Sequence, residues 1–169
     1  MAAGPRSGRG DDEGGGGATV YLVSCVKEKR ATRALAKDLY ISAWFRKARA
    51  YVEGTDRPWR ILSARYGLLD PGRPVRPYDR MLEGLPRAER RAWADRVLAA
   101  FHAEFPDVST VELLAGERYR EFLQPALEAR SVVVQVPMAG LRIGEQMAWL
   151  DRRVRRRDAD ELASGDLLG

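Results

Sequence analysis

The chain has 169 residues, 45% of them hydrophobic, enough to fill the core of one ordinary domain. One cysteine excludes an internal disulfide, and one Cys with one His excludes the common Cys/His zinc sites, so neither a metal nor a cofactor is expected. The net charge of +5 rests on 25 Arg and only 4 Lys; it favours a phosphate-bearing partner, while such lysine avoidance fits genomic composition equally well.

In chain order, Met1 to Ala18 holds seven glycines among charged residues and no apolar run. This predicts a disordered tail over 1–18 rather than a secretory signal or membrane anchor, and a cytoplasmic protein without membrane contact. Thr19 to Ser24 predicts a buried strand. At its mouth, Ser24-Cys25-Val26-Lys27-Glu28-Lys29 gathers a hydroxyl, a thiol and two amines. Cys25 has two readings: a site residue whose thiolate is favoured by Lys27 and Lys29, or a small packing residue. Leu39 to Glu53 predicts a helix with Leu39, Trp44, Phe45, Ala48 and Val52 inward, stopped by Gly54. Asp38 is a candidate N-cap for it; alternatively Tyr40 and Ser42 face the first loop and bind a polar substrate edge.

Trp59 to Ser63 predicts the second strand, opening into a loop stiffened by Pro71, Pro74 and Pro77. In that loop Gly67 is the natural hinge and Arg65 offers a planar fork to phosphate or carboxylate. Tyr66 and Tyr78 either stack a base or simply pack, and Asp70 either serves chemistry or caps a turn. A helix follows from Pro86 to Phe105, with His102 as an ordinary member, and then a third strand, Thr110 to Leu114. Ala115-Gly116-Glu117-Arg118-Tyr119 leads into a helix to Ala129, broken or tightened near Pro125. Ser131 to Val136 is the fourth strand, and the loop from Pro137 to Gln146 contains Gly140 and Gly144. The last helix is expected from Leu141 or Ile143 to about Arg153, followed by a polar tail over 154–169.

Strands alternating with helices predict a single three-layer α/β domain over 19–153, around a mostly parallel sheet of at least four strands. Parallel strands bring their following loops to one edge, so Cys25, Lys27, Lys29, Arg65, Tyr66, Gly116 and Gly140 are expected around one cleft.

Ile61 to Tyr78 resembles the peroxide-stress YaaA-like superfamily in Leu62-Ser63, Tyr66-Gly67-Leu68-Leu69, Pro71 and Pro77-Tyr78. The likeness continues through Val23 to Lys29, Leu39-Tyr40 with Ser42 and Phe45, Leu114-Ala115-Gly116 with Tyr119, and Pro137 through Gly144 to Gln146-Met147. It is that of a smaller, uncharacterised branch. The resemblance implies the α/β fold, an association with DNA, and substrate-binding parts for Ser24, Ser63, Tyr119, Gly144 and Gln146. More distantly, the chain is similar to the core of archaeosine synthase, where a Cys followed by a Lys, Tyr and Ser constellation is associated with a modified nucleobase. Cys25, Lys29, Tyr40 and Ser42 take those positions, although the segment Arg30 to Leu39 divides the compact Lys-Pro-Tyr-Ser pattern and its proline is absent.

These features together lead to a nucleotide- or nucleic-acid-related enzyme that cleaves or exchanges a base N-glycosidic bond. Its partners would be a nucleotide, a modified nucleobase or DNA. Such chemistry needs a carboxylate near the developing sugar cation, and Asp70, Asp79, Glu117 and Glu145 stand near candidate strand ends; Cys25 and Lys29 are the other catalytic candidates. The competing readings are a noncatalytic DNA-binding stress-response protein and a protein-interaction scaffold.

Overall fold

The computed structural model describes residues 17–165. Short β-branched runs and amphipathic segments alternate in it as β1 (Ala18–Ser24), β2 (Ala34–Leu35), α1 (Ala36–Leu39), α2 (Ala43–Glu53), β3 (Trp59–Ser63), β4 (Gly67–Leu69) and β5 (Pro74–Val75). A 3₁₀ turn (Leu82–Gly84), α3 (Arg87–Glu104), β6 (Val108–Leu114), α4 (Glu117–Arg120), α5 (Leu123–Ala129), β7 (Val133–Gln135) and α6 (Ile143–Gly165) complete the order.

The main sheet has five strands in the order β4-β3-β1-β6-β7. β1 pairs in parallel with β3 and β6, β6 in parallel with β7, and only β4 runs antiparallel to its neighbour. Register places Ser24 opposite Leu62 and Val23 opposite Leu114, so the carboxyl ends of the parallel strands share one edge. Helices α2 and α6 pack on each other, and α2 lies on β1; α3 packs against β4 and α5, and α5 against β7. The chain is thus a single α/β domain with a mostly parallel sheet. Its central strands are apolar because they are covered: Val23, Ile61, Leu62, Leu113 and Leu114 are all fully buried. Each such side chain contributes about 1.5–3 kcal/mol of burial.

The structure departs from the sequence reading at several places. The helix expected from Leu39 is two helices, because the chain extends through Tyr40 and restarts at Ser42, whose hydroxyl accepts from the Phe45 amide at 3.1 Å. Ser42 is therefore the N-cap; Asp38 lies inside α1 and pairs with Arg49 at 2.7 Å. The segment after β3 is a hairpin, not an open loop. Gly67 adopts φ +71 just after the turn Ala64–Tyr66, a left-handed conformation that glycine enters without a Cβ penalty. The helix break after β6 falls at Glu121 and Phe122, while Pro125 sits within α5. Helix α6 runs on through Arg155, Asp158 and Glu161 to Gly165, so the polar tail predicted from residue 154 is helical as far as it is described. The expected disordered tail lies outside the described residues apart from Gly17 and Ala18, and Ala18 opens β1.

Candidate functional site

Along the strand order, the chain leaves β1 toward β3 on one side and reaches β6 on the other, so the carboxyl ends of β1 and β6 flank a topological switch point. A cleft of about 620 Å³ opens there. Ser24, Val26 and Glu28 line it from the β1 loop; Ala115, Gly116, Glu117 and Arg120 line it from the β6 loop. Met138, Gly140 and Leu141 follow β7, and the starts of α2 and α6 supply Ser42, Trp44, Gln146 and Met147. Its walls are mainly apolar, with Ser24, Ser42, Glu28, Glu117, Arg120 and Gln146 as the polar groups. Gln146 is already engaged: its carbonyl oxygen accepts from Trp44 Nε1 at 2.8 Å and its amide donates to the Leu141 carbonyl at 2.9 Å. It fixes the indole and the β7 loop together. Arg120 is anchored by a 2.9 Å bond from Nε to the Ala115 carbonyl.

A compact polar cluster lies beside this cleft. Tyr40 and Tyr78 share a 2.7 Å bond between hydroxyls, Ser63 Oγ donates to Tyr78 at 2.9 Å, and Ser63 Oγ accepts from the Tyr66 amide, also at 2.9 Å. Lys29 Nζ stands 4.4 Å from the centre of the Tyr78 ring and 5.8 Å from that of Tyr40, a cation–π arrangement. Burial pulls the Lys29 ammonium below its usual range, against the opposing influence of Cys25, Asp79 and Glu28. Burial also raises Tyr40, Tyr78 and Tyr119, so all three hydroxyls stay protonated near neutrality. Cys25 is 3% exposed and its Sγ lies 3.2 Å from the Tyr119 hydroxyl, beneath the cleft lining rather than on it. No buried side-chain nitrogen or oxygen among the described residues lacks a partner, so this cluster is closed as a hydrogen-bonded wall.

The segment Arg30 to Leu39 does not separate Lys29 from Tyr40. Lys29 and Tyr40 form an antiparallel bridge, closed by Arg30 N to Leu39 O at 2.9 Å and Ile41 N to Glu28 O at 3.1 Å. The intervening residues loop out and pair with the hairpin extension through β2 and β5. Distance in sequence is thus cancelled by local folding.

Residues 20–152 match a family of unknown function, DUF6884. The chain belongs to that family. No curated protein and no solved structure matches it. In this DUF6884 member the matched span takes in the five-stranded sheet from Val20 of β1 onward, the whole cleft lining and the Lys29–Tyr40–Tyr78 wall, and it ends within α6.

The expected single cleft is divided. Ser24, Ser42, Gly116, Glu117, Gly140 and Gln146 line the switch-point cleft, whereas Arg65, Tyr66, Tyr78 and Asp79 line a separate groove at the hairpin. Cys25, Lys29, Tyr40, Ser63 and Tyr119 belong to the wall, and Lys27 is exposed, its carbonyl accepting from Lys29 Nζ at 3.2 Å. Asp70 caps its own turn by accepting from the Gly72 amide at 2.8 Å, and Glu145 accepts from the Arg142 amide at 3.1 Å. Neither carboxylate lines the cleft, nor do Gly67 and Gly144. Sequence reasoning passed over Glu28, Trp44 and Arg120. Glu28 was legible in principle, since it sits in the same strand-end loop as Cys25; Trp44 looked like core because it falls on the apolar stripe of α2. Among the described residues no group of three or more His, Cys, Asp or Glu side chains is arranged to hold a metal, and no helix is long and apolar enough to cross a membrane.

Proposed function

We propose that this protein is an enzyme acting on a nucleobase-containing ligand in the switch-point cleft, cleaving or exchanging a base N-glycosidic bond. The observation that carries it is the placement of two carboxylates, Glu28 and Glu117, from the β1 and β6 loops in a cleft whose apolar lining includes Trp44, Leu113, Met138 and Met147. An apolar slot accepts a planar base, and a carboxylate beside it stabilises positive charge growing on the sugar. In hydrolysis the anomeric carbon–nitrogen bond breaks with its electron pair leaving on the base nitrogen, which takes up a proton from solvent water. The oxygen of water bonds to the anomeric carbon and its proton passes to the carboxylate. Glu117 and Glu28 are the candidates for that role; Ser24, Ser42 and Arg120 are candidates for holding the ligand.

The resemblance of the β3–β4 segment to the YaaA-like superfamily, and of Cys25, Lys29, Tyr40 and Ser42 to the archaeosine synthase core, supports a nucleobase reading. In this proposal the wall shapes the cleft and keeps Ser42 and Glu28 in place, rather than supplying the reacting groups. The test is a mass-spectrometric screen for free base released from nucleosides, nucleotides and short DNA. Glu117→Gln and Glu28→Gln variants accompany the intact chain. Loss of general acid–base help typically lowers a rate by 10²–10⁴-fold, so at least one variant should fall by about a hundredfold while remaining folded. Unchanged release in both variants, or no release by the intact chain from any substrate, would reject the proposal.

A further inference from the structure

The hairpin beyond β3 carries cations that the fold leaves without partners. Arg65, in the turn, and Arg76, just after β5, are both exposed, and neither forms an ion pair among the described residues. Together with Arg80 they line a groove of about 420 Å³ over Tyr66, Pro77 and Tyr78. Arg80 already lies 3.8 Å from Glu89. Asp79 is the one carboxylate of the groove, and Lys29, over the Tyr78 ring, lies within its influence. The groove thus carries three guanidinium groups against one carboxylate, and Arg65 and Arg76 are the two that form no ion pair among the described residues.

The aromatic groups of the groove are engaged with protein. Tyr66 and Tyr78 meet edge to face at 5.5 Å, Arg73 lies over the Tyr66 ring at 5.5 Å, and Lys29 lies over Tyr78. A stacking base finds these rings occupied, whereas an oxyanion finds two guanidinium forks suited to bidentate hydrogen bonding. The backbone beneath the forks is held: Ser63 Oγ accepts from the Arg65 and Tyr66 amides, and the Tyr66 hydroxyl donates to the Arg76 carbonyl at 3.1 Å. Binding an anion thus orders side chains alone, which limits its entropic cost. Two cations on separate segments match repeated charges along a chain better than a single phosphate, which one fork satisfies.

We propose that this groove is a phosphate-binding site distinct from the switch-point cleft and that it receives the backbone of a single-stranded nucleic acid. It does not depend on what the cleft does. The test measures fluorescence anisotropy of a labelled DNA strand of about eight nucleotides, within the usual span of single-strand sites. Calorimetry with inorganic phosphate and a nucleoside monophosphate runs beside it. The proteins are the full chain, Arg65→Ala with Arg76→Ala, the same pair changed to Lys, and Arg152→Ala with Arg155→Ala at exposed positions of α6.

The full chain should bind the strand with affinity that falls as salt rises. The alanine pair should lose at least about tenfold in affinity and flatten the log–log salt slope by about 1.4, at roughly 0.7 per phosphate contact. The lysine pair should restore that slope, and the α6 variant should bind like the parent. Equal losses in the hairpin and α6 variants would replace the groove with diffuse charge and overturn the site. A monophosphate binding as tightly as the strand would overturn the strand assignment, and no strand binding by the full chain, or no recovery of slope with lysine, would overturn the proposal altogether. Strand binding without base release leaves this site standing and removes the enzyme reading; base release without strand binding does the reverse.

Discussion

Glu112 carries a carboxylate into the middle of the sheet, 7% exposed, where its Oε1 accepts from the Tyr51 hydroxyl at 2.7 Å. Burial raises its pKa above the ordinary 4.5, while the Tyr51 bond and Arg153 act in the opposite direction. A carboxyl whose folded pKa is raised holds its proton more tightly in the folded state, so stability falls as pH climbs from the unfolded value through the folded one. At lower pH both states are protonated and the cost disappears. Glu112→Gln retains the size and an acceptor for Tyr51 without the ionisation. It should melt with the parent near pH 4 and above it near pH 7, the gap in Tm opening as pH rises in calorimetric scans. A gap that stays constant across that range would assign the pH dependence to another group. Cys25 shows a different limit at this scale. Its place at a strand end was legible, but whether a thiol at that mouth turns outward or inward is decided by Tyr119, which lies 94 residues away and offers a hydroxyl at 3.2 Å.

At the scale of elements, Ser42 links fold and cleft, because it caps α2 and also lines the cleft. Replacing an N-cap serine by alanine typically costs about 1 kcal/mol. Ser42→Ala should lower the unfolding free energy by that amount in a urea titration with its slope unchanged, and no measurable loss would mean that the Phe45 amide finds water instead. The main elements were readable where one periodicity was strong: β1, β3 and β6 as apolar runs, and α3 through Trp93, Val97 and Phe101 on one face. Elements made by partners were not. β4 has three residues and β5 has two, and each exists through pairing rather than through its own pattern, β4 with its hairpin neighbour β3 and β5 with the distant β2. The end of α6 was hidden for another reason: a run such as Arg155-Arg156-Arg157-Asp158-Ala159 reads as a solvated tail, yet Arg and Ala are good helix formers. Arg157 also returns to the body, donating to the Tyr51 carbonyl at 3.0 Å.

For the molecule as a whole, the parallel order explains why loops far apart in sequence meet, and also why they do not all meet in one place. The edge was legible from alternating strands and helices, since parallel pairing fixes where strand ends go. The division of that edge was not. It comes from the Lys29–Tyr40 bridge and the Tyr40–Tyr78 bond, which raise a wall between the cleft and the hairpin groove. A ligand in the cleft would touch the β1, β6 and β7 loops and the starts of α2 and α6, five segments that meet there. Binding to the folded state alone stabilises by about 2.7 kcal/mol at a hundredfold excess over Kd. Hydrogen exchange with a saturating nucleoside that the release screen identifies should therefore show new protection around Ala43 to Phe45, Gly116 to Glu117, Met138 to Leu141 and Gln146. The turn from Arg65 to Tyr66 should exchange as before, because the wall stands between it and the ligand. Protection centred on that turn, with the α2 and α6 starts unchanged, would move nucleoside binding to the hairpin and leave the cleft without its proposed ligand.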